Sequence, residues 1–588
     1  MARSATLPRS APFAPEEIAA LDKVIGRSSS LQRSWLAGFL AGLDAAEGRT
    51  ATEAAPAAPP AAKPKLVILY ATESGNSEAL AGSARKAAQK AGFAARTLDM
   101  ADADPAALRD AKNLLVIAAT WGEGEPPQRA APFMRALAAD DAPKLDGVNF
   151  AVLALGDTAY AQFCETGKRL DARLAELGAA RIAERVDCDL DYEEPAARFI
   201  DQALEAFAPP GDQAEDSVIH VDFQRLPGSD APSKSAPFAA EIGDLHPLTS
   251  SRSAAPTFHL ELDLAGSGIT YEPGDSLGVI PENDPGLVAS LLAATGLDGD
   301  ADLAAALTTS RDITTLTGKI VKDYAALTDD ATLAKLADDD NARAEFLTGR
   351  QPIDLFETYP HKLTAEQLTA LLRPLPPRYY SIASSMRAVG EQAHLAIARL
   401  AYDSAGRART GVASGMIADR RKPGETLPVF VKPNTRFRLP EDPHAPIVMI
   451  GAGTGIAPYR AFLQEREETG AAGKSWLIFG HRHFLHDFLY QTDIQDWLKS
   501  GTLSDIDLAF SRDQPEKRYV QHVLWERRNA LKAQLEEGAT LYLCGDASAM
   551  ARDVDATLAR ILGNDDAEAG QAELDRLVTT GRYRKDVY

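Results

Sequence analysis

The sequence predicts a multidomain α/β protein, in which two doubly wound parallel-sheet domains lie on either side of a β-barrel domain. The chain has 588 residues, more than one hydrophobic core usually serves. Buried strands alternate with amphipathic stretches from residue 65 to 208 and again after residue 445. Between them, strand-and-turn segments enclose a long Ala/Leu-rich helical stretch. Alternation of strand and helix favours parallel sheets, and strands joined by turns favour an antiparallel barrel.

The strands themselves are apolar runs bounded by turn residues. The first domain contains KLVILYA, NLLVIAAT and NFAVLALG, the barrel contains FHLELDL, HLAIARLAYD and TLPVFVKP, and the last domain contains APIVMIGAG, KSWLIFGHR, IDLAFSRD and ATLYLCGD. In both parallel-sheet domains we expect ligands at the carboxyl ends of the strands.

Two Pro-rich stretches divide the chain and set apart an N-terminal helical unit. In LQRSWLAGFLAGL the residues Leu31, Trp35, Phe39 and Leu43 fall four apart, on one helical face. Two short helices cannot bury such faces alone, so they pack either on another copy or on the chain's own body. The predicted boundaries are a helical oligomerisation segment at 16–44, an Ala/Pro linker at 45–64, a first domain at 65–208, a linker at 209–237, a barrel domain at 238–440 with a helical insertion at 284–375, and a C-terminal domain at 441–588.

Charge and cysteine content exclude several classes of function. The formal charge of −22 provides no basic face for a nucleic acid and suits a partner with a basic docking surface. Three cysteines without CxxC spacing argue against a disulfide framework, a Cys-rich zinc site and a four-cysteine iron–sulfur cluster, and no metal site is predicted. With no long apolar run and no signal-peptide core, we expect a cytoplasmic protein without a membrane anchor.

The loop TESGNS, after the first strand, has the composition of a phosphate site. Thr72, Ser74, Asn76 and Ser77 offer hydroxyl and amide groups, and the backbone N–H groups lie at a helix N-terminus. No GKS or GKT occurs in the loop, so it is not a Walker loop. A monophosphate that is never transferred fits better than a triphosphate.

Two further loops follow the next two strands of the same predicted sheet. TWGEGEPP contributes Trp121 and LGDTAYAQFCETG contributes Tyr160, each near the strand edge that carries the phosphate loop. Two aromatic rings at a phosphate site predict a clamp for a flat heteroaromatic ring. Each aromatic alone is more often a packing residue, so the prediction depends on the three successive loops.

These three loops resemble the FMN-binding loops of flavodoxin-like domains. LGDTAYAQFC is especially close to the flavoprotein component of assimilatory NADPH–sulfite reductase, in the diflavin reductase family. That family is expected to carry Gln at position 121, where this chain has Trp. The FMN contacts that the resemblance implies are Thr72, Glu73, Ser74, Gly75, Asn76, Ser77, Thr120, Trp121, Gly122, Leu155, Gly156, Asp157, Tyr160, Phe163 and Cys164.

RYYSIASS and TGVASG, in the barrel region, resemble the FAD site of ferredoxin–NADP reductase-like domains. Arg378 can fork onto a pyrophosphate and Tyr380 can lie against a flavin ring. Taken alone, Arg378 is equally well a surface ion pair. The FAD contacts implied are Thr314, Arg378, Tyr379, Tyr380, Ser381, Tyr402, Gly411, Val412, Ala413, Ser414 and Tyr588.

MIGAGTGIAPYRAF and AFSRDQPEKRYVQ predict an NADPH site. The first is a strand, a Gly-rich turn and a helix, without the GxGxxG spacing of the NAD dehydrogenases. The second supplies cations and hydroxyls for a 2′-phosphate, and strand alternation is expected to point Lys517, Tyr519 and Gln521 the same way. The NADPH contacts predicted are Gly453, Thr454, Ser511, Arg512, Lys517, Tyr519, Gln521 and Asp553.

The resemblance also implies a hydride-transfer cluster. Its members are Ser381, Cys544 and Asp586, with the terminal Tyr588 stacked on the FAD ring where the nicotinamide must land. The alternatives from the residues alone are a buried core thiol for Cys544 and a frayed chain end for Tyr588.

Together these sites predict a converter of two-electron to one-electron transfer, from NADPH to FAD to FMN. The resemblance implies a sirohaem/iron–sulfur haemoprotein partner that reduces sulfite to sulfide, and self-assembly through the N-terminal helices. Residues 65–208 contain 16 Lys and Arg against 23 Asp and Glu, a charge of −7 that suits docking or simply a solvated face. The alternatives are a diflavin reductase for another acceptor, such as a cytochrome or a nitrite-reducing haemoprotein, and a non-catalytic electron-transfer scaffold.

Overall fold

The computed structural model describes residues 63–122, 124–208, 232–547 and 549–588. The predicted helical segment 16–44, nearly all of the linker 45–64 and most of the linker 209–237 lie outside these residues. Three parts are described below: the N-terminal sheet domain (65–208), the barrel domain (238–440) and the C-terminal domain (441–588). None of the helices in these described parts is long and apolar enough to cross a membrane.

The N-terminal sheet domain is a doubly wound parallel sheet. Its central strands are apolar along their whole length because both faces are covered by helices. Alternate residues of β1 enter opposite cores: Val67 and Leu69 pack on one face, and Leu66 and Ile68 on the other. The strand order is β2-β1-β3-β4-β5, with β6 also paired to β4. The elements are β1 (Lys65–Ala71), α1 (Asn76–Lys90), β2 (Ala94–Asp99), β3 (Asn113–Ala119), α2 (Ala131–Ala138), β4 (Asn149–Leu155), α3 (Glu165–Glu176), β5 (Ala180–Arg181), β6 (Val186–Cys188) and α4 (Glu193–Phe207).

The barrel domain is built on a six-stranded antiparallel sheet of order β10-β9-β14-β7-β8-β11. A bridge between Ile382 and Leu395 joins its two edges. The strands are β7 (Phe238–Pro247), β8 (Thr257–Asp263), β9 (Ser276–Val279), β10 (Arg378–Ser381), β11 (Gln392–Ala398), β12 (Ala401–Ser404), β13 (Arg407–Thr410) and β14 (Thr426–Lys432).

The segment HLAIARLAYD, predicted as one strand, is two. β11 ends at Ala398, and β12 pairs with β13 in a separate two-stranded sheet. The break has a local cause, because Leu400 turns toward the 411–414 loop. Its N–H donates to Ser414 Oγ (3.2 Å) and its carbonyl accepts from the Gly411 N–H (3.0 Å).

Helices fill the stretch between β9 and β10. Most begin at an Asp or Thr whose side chain accepts hydrogen bonds from the first turn, as Asp284 does from Gly286 and Leu287. The helices are α5 (Pro285–Thr295), α6 (Ala301–Ser310), α7 (Gly318–Ala325), α8 (Ala331–Asp338), α9 (Asp340–Leu347), α10 (Pro352–Thr358) and α11 (Ala365–Leu371), followed after β10 and β13 by α12 (Met386–Val389) and α13 (Val412–Gly415).

The C-terminal domain is a second parallel sheet, of order β17-β16-β15-β18-β19. The chain end forms the edge strand β19, so it is held by backbone pairing rather than frayed. Its elements are β15 (Ile447–Ala452), α14 (Ala457–Thr469), β16 (Ser475–His481), α15 (Phe484–Asp487), α16 (Gln491–Ser500), β17 (Asp505–Phe510), α17 (Val520–Glu526), α18 (Arg528–Glu536), β18 (Thr540–Gly545), α19 (Met550–Leu562), α20 (Ala567–Thr579) and β19 (Tyr583–Val587).

Candidate functional site

The first loop of the N-terminal sheet domain forms a tight turn into α1. The Gly75 N–H donates to Thr72 Oγ1 (2.9 Å), and Gly75 has φ of +85°, a conformation that side chains with a Cβ adopt at a cost. Ser77 is fully buried, and its Oγ has no hydrogen-bond partner. A buried hydroxyl without a partner at a helix N-terminus fits a bound phosphate oxygen.

The second and third loops follow β3 and β4, beside the phosphate loop. Thr120 Oγ1 accepts from the Thr166 N–H (3.1 Å), which fixes the second loop to α3. Trp121, half-buried, pairs with Glu125 across a short turn. Tyr160 is 53% exposed on the third loop. The three predicted loops therefore meet at one sheet edge, because β1, β3 and β4 are adjacent parallel strands.

Three other predicted residues, Cys164, Gly156 and Glu73, help to hold the three loops in shape. Cys164 is fully buried, and burial raises the pKa of its thiol. A Cβ at Gly156 would lie 2.8 Å from the Cys164 backbone nitrogen, so the loop closes tightly. Burial also raises the pKa of Glu73, whose carboxylate accepts from the Gln128 N–H (2.8 Å) and so ties the first loop to the second. The others on these loops are Ser74, Asn76, Gly122, Leu155, Asp157 and Phe163.

A cavity of 310 Å³ in the barrel domain brings together predicted residues from distant parts of the chain. Thr314, from the helical insertion, lines it with Gly411 and Val412. Arg409 and Arg420 also line it, and sequence reasoning missed both. A Cβ at Gly411 would lie 2.5 Å from Ser414 Oγ, so a larger residue there would require the Ser414 side chain to move.

β10 carries the RYYS motif along the edge of the barrel. Tyr379 is exposed, whereas burial raises the pKa of Tyr380 to about 12. The Arg378 guanidinium donates to the Pro376 carbonyl (2.8 Å). Tyr402, on β12, is 37% exposed, and Ala413 is buried in α13. Neither Arg378 nor Tyr402 lines the cavity.

The Gly-rich turn after β15 passes against the end of β18. Gly453 has φ of +57°, and a Cβ at Gly455 would lie 2.2 Å from the Cys544 carbonyl oxygen. Only bare backbone fits at this approach. The turn leads into α14, whose N-terminus points its N–H groups at the carboxyl edge of the sheet.

The residues predicted for the 2′-phosphate lie after β17, at the same edge. Arg512, Lys517 and Tyr519 are exposed, and Ser511 is buried, with its Oγ donating to the His481 carbonyl (3.2 Å). Gln521 Nε2 donates to Asp553 Oδ2 (2.9 Å), which joins two predicted residues.

The strand alternation predicted for KRYVQ is wrong. Residues 517–519 are not paired in a strand, and Tyr519 caps the helix that begins at Val520. Gln521 therefore takes its direction from a helix turn and not from a pleat.

The Asp586 cluster, consisting of Ser381, Cys544 and Asp586, joins the barrel to the C-terminal domain. Ser381 Oγ donates to Asp586 Oδ2 (2.6 Å), and Cys544 Sγ lies 3.9 Å from the same oxygen. Cys544 and Asp586 are direct neighbours across β18 and β19. Burial raises the pKa of Asp586, and burial beside Asp586 raises that of the Cys544 thiol. The hydrogen bonds and the charge of Lys432 oppose the shift at Asp586.

Tyr588 follows this cluster and is anchored at the carboxyl edge of the sheet. Its N–H donates to the Gly545 carbonyl (3.0 Å), and its hydroxyl lies 2.7 Å from Thr454 Oγ1 in the Gly-rich turn. Its side chain is 57% exposed. The aromatic ring is thus fixed at one end and open on the other.

Sequence reasoning missed Lys432. Its ammonium lies 4.4 Å from the centroid of the Tyr379 ring, and its charge acts on Asp586. Lys432 and Ser381 both pair with Ser276 of β9, from opposite sides. In the sequence, a lysine after a Val-Phe-Val run looks like any other strand lysine. Only the register of the sheet shows that Lys432 lies near Asp586.

Comparison with protein families matches the three domains in order. A flavodoxin model matches residues 68–200, a model of the FAD binding domain matches 231–325 and 328–416, and a model of the oxidoreductase NAD-binding domain matches 449–556. These matches confirm the predicted multidomain fold class and the three predicted cofactor types, FMN, FAD and NADPH.

The chain is also similar to curated proteins along nearly its whole length. It is 43% identical to the sulfite reductase (NADPH) flavoprotein alpha-component of Bacillus subtilis, covering 98% of this chain and 99% of that protein. The proteins of the same name from Neisseria meningitidis serogroup C and Yersinia enterocolitica are each 40% identical, covering 99% and 98% of both chains respectively. The chain belongs to the family of sulfite reductase (NADPH) flavoprotein alpha-components.

Proposed function

We propose that this protein passes electrons from NADPH through FAD and FMN to a sirohaem/iron–sulfur haemoprotein partner that reduces sulfite to sulfide. The observation that carries the proposal is the Asp586 cluster, which the barrel and the C-terminal domain assemble only together. A serine donating to a buried carboxylate beside a thiol, at the point where two nucleotide-type domains meet, fits hydride transfer between their ligands.

The FMN site is assigned to the three loops of the N-terminal sheet domain. Ser77 Oγ and the α1 N-terminus would hold the phosphate, and Trp121 and Tyr160 would flank the ring. The partnerless Ser77 hydroxyl and the αL turn at Gly75 support this fit. The other contacts assigned are those of the sequence prediction on the same loops.

FAD and NADPH are assigned to the barrel and the C-terminal domain. Gly411 and Val412 would approach a pyrophosphate in the cavity that Thr314 and Arg420 also line. The Gly453–Ile456 turn would receive the NADPH pyrophosphate, and Arg512 with Lys517 its 2′-phosphate. The close approach of Gly455 to the Cys544 carbonyl supports this fit, because it leaves no room for a side chain beside the nicotinamide position.

When bound, the two flavins would supply the conversion of two-electron hydride uptake into single-electron transfer. Ser381 holds Asp586 in place through its hydroxyl hydrogen bond. With NADPH bound, the Asp586 carboxylate would stabilise positive charge at the nicotinamide position. Cys544 would form the apolar floor beside it, and Tyr588, anchored to Thr454, would cover the face that the nicotinamide must reach.

The partner and the assembly are proposed from the family and from charge. The flavoprotein alpha-component of the relatives is one component of a sulfite reductase. The acidic N-terminal sheet domain suits a basic docking surface on the partner, and residues 16–44 are proposed to assemble copies of the chain in the cytoplasm.

Two measurements test the proposal. NADPH added anaerobically to the purified yellow protein is expected to bleach both flavins, and a protein that stays yellow would refute the reductase activity. Adding a sirohaem/iron–sulfur sulfite reductase haemoprotein is then expected to give sulfide from sulfite at the expense of NADPH. Flavin bleaching without sulfide, but with rapid reduction of a cytochrome, would reassign the acceptor and leave the reductase chemistry intact.

A further inference from the structure

Two neighbouring strands of the barrel sheet place two buried imidazoles and a carboxylate side by side. The imidazole cluster is defined as His259 and Glu261 of β8 and His394 of β11. Glu261 and His394 are direct cross-strand neighbours, and His259 lies two residues from Glu261 on the same face. A third imidazole, His246 of β7, is paired with His259 at the outer side of the cluster.

The ligand atoms of the imidazole cluster converge. His259 Nε2 lies 3.2 Å and His394 Nε2 3.9 Å from Glu261 Oε1, and each of the three residues offers one ligand atom within 4.8 Å of the other two. Zinc bonds of about 2.1 Å at tetrahedral angles put ligand atoms roughly 3.4 Å apart. The widest separation therefore has to close by no more than about 1.4 Å, a motion within reach of imidazole rotation.

From this geometry we propose that the imidazole cluster binds one divalent transition-metal ion, with Zn²⁺ the ion that fits the donors. Two imidazole nitrogens and one carboxylate oxygen form a three-ligand set that leaves a fourth tetrahedral position for water. Glu261 keeps 30% of its side-chain surface exposed, so the ion has a route from solvent. The exposed His246 lies beyond His259, where it can assist capture.

Burial prepares both rings for metal binding. His259 and His394 are 4% and 6% exposed, and burial lowers their pKa values to about 3 and about 4. Both rings are therefore neutral at physiological pH, the form that binds metal. The outer nitrogen of His259 has a partner for the tautomer that binds metal, since its Nδ1 lies 2.9 Å from the Tyr490 hydroxyl oxygen, which can accept a hydrogen bond from Nδ1–H.

His394 requires one rearrangement. Its Nε2 lies 3.4 Å from Gln392 Oε1 and its Nδ1 3.4 Å from an Arg460 nitrogen. Metal at Nε2 therefore requires the ring proton to move to Nδ1 and both long contacts to open. Arg460 keeps its stronger partners, Asp493 (2.7 Å) and the Ala383 carbonyl (2.8 Å). The Glu261 carboxylate offsets part of the charge of the ion.

The position of the cluster gives such an ion a structural effect. The His394 carbonyl accepts from the Ala383 N–H (2.7 Å), and its N–H donates to Ser384 Oγ (3.0 Å). Ala383 and Ser384 come just after the strand that ends in Ser381. Tyr490, against His259, belongs to the C-terminal domain. A bound ion would therefore brace the junction of the two domains next to the Asp586 cluster.

The test uses the full-length flavin-loaded protein, stripped of metal with a chelator and equilibrated with Zn²⁺. We expect one Zn²⁺ per chain after gel filtration, and a zinc-edge X-ray absorption spectrum that shows two imidazoles with oxygen ligands. His259→Gln, His394→Gln and Glu261→Gln are each expected to lower the affinity by about 100-fold or more. Zn²⁺ should raise the thermal midpoint of the wild type and not that of Glu261→Gln.

His483→Gln is the matched control. His483 is a partly exposed histidine of the C-terminal domain, paired with Asp513 (2.9 Å) in another histidine-rich stretch. The His483→Gln variant should still bind one Zn²⁺ per chain. Absence of bound Zn²⁺ in the wild type, a spectrum without imidazole, or equal loss in His483→Gln would overturn the proposal. If a histidine variant fails to retain flavin, Glu261→Gln decides the question, because Glu261 is partly exposed and Gln keeps the size of its side chain.

Discussion

The C-terminal domain and the N-terminal sheet domain attach to the barrel in different ways. Barrel and C-terminal domain share one apolar core, in which Phe437 stacks on Phe462 and packs edge-on against Tyr542. None of the buried apolar clusters formed by the described residues joins the N-terminal sheet domain to the rest of the chain.

Arginines hold the N-terminal sheet domain instead. Arg436 donates to the Thr72 carbonyl (2.6 Å) and pairs with Glu78 (3.1 Å), and Arg373 pairs with Asp157 (2.5 Å). Both arginines reach residues on or next to the proposed FMN loops. Apolar cores are insensitive to salt and hold a fixed geometry, whereas partly exposed ion pairs are weak and screened. The difference supports the proposal that the barrel and the C-terminal domain form a rigid junction for hydride transfer, and that the N-terminal sheet domain is a detachable electron carrier.

The largest effect is expected at the rigid junction. Asp586→Asn removes the carboxylate while keeping the shape of the side chain, and we expect hydride transfer from NADPH to slow by about 10²–10³-fold. The measurement is anaerobic stopped-flow bleaching of the flavin. Both flavins should remain bound, and an unchanged rate would remove Asp586 from the hydride-transfer step.

The pH dependence sharpens the same prediction. Burial raises the pKa of Asp586. The hydride-transfer rate should therefore fall, as the pH is lowered, at a higher pH than an ordinary Asp would give. Lys432→Met removes a cation that lowers this pKa, so in that variant the fall in rate should begin at a still higher pH. The native state also holds the Asp586 proton more tightly than the unfolded chain, so ionisation costs stability as the pH rises through the raised pKa. Asp586→Asn should therefore not lower the thermal midpoint at neutral pH.

The next effect tests whether the N-terminal sheet domain is an independent unit. Ser77→Ala removes a hydroxyl that has no protein partner, so folding should be unaffected. A lost hydrogen bond to a charged phosphate is worth about 1.5–3 kcal/mol, or roughly 10–100-fold in FMN affinity. Ser83→Ala, in the same helix, is the control. Fluorescence titration of FMN measures the affinity, and bleaching of FAD by NADPH should stay at the wild-type rate.

A smaller effect is expected at the exposed end of the rigid junction. Tyr588→Ala removes a ring anchored to Thr454, and NADH use should rise relative to NADPH. Ring stacking worth about 0.5–1.5 kcal/mol corresponds to roughly a 2–10-fold change in the ratio of the two kcat/KM values. Identical responses to the two coenzymes would mean that the ring does not guard the flavin.

The smallest effect is expected at the detachable interface. Arg436→Gln should shift the docking equilibrium of the N-terminal sheet domain by up to about 1 kcal/mol, or roughly 5-fold. In the Arg436→Gln variant, the rate of electron transfer from FAD to FMN, measured by stopped flow, should change with salt at a lower ionic strength than in the wild type. Arg399→Gln, which breaks a pair with Asp419 inside the barrel domain, is the control. A salt response identical to the wild type would contradict the role of Arg436.

Local sequence patterns were sufficient to predict which loops meet when a site lies along one edge of a sheet. The loops after β1, β3 and β4 are each contiguous in sequence, and parallel strands deliver their carboxyl ends to one place. The predicted meeting of the three loops therefore follows from the fold class alone. The failure at KRYVQ has the same local character, since the cap at Tyr519 ends the extended segment before the pleat can set side-chain directions.

By itself, the sequence determined the three domain types, the helical insertion and the short motifs proposed to bind nucleotides, because each depends on residues close together in the chain. Only the tertiary structure decided which side chains meet across domains. Lys432 reaches the Asp586 cluster through the register of β14 with β9, and Arg436 reaches the Thr72 loop from the barrel domain. The imidazole cluster is of the same kind: His394 lies far along the chain from His259, and antiparallel pairing of β8 with β11 places them together. Such contacts depend on strand register and domain packing, which no local pattern of residues records.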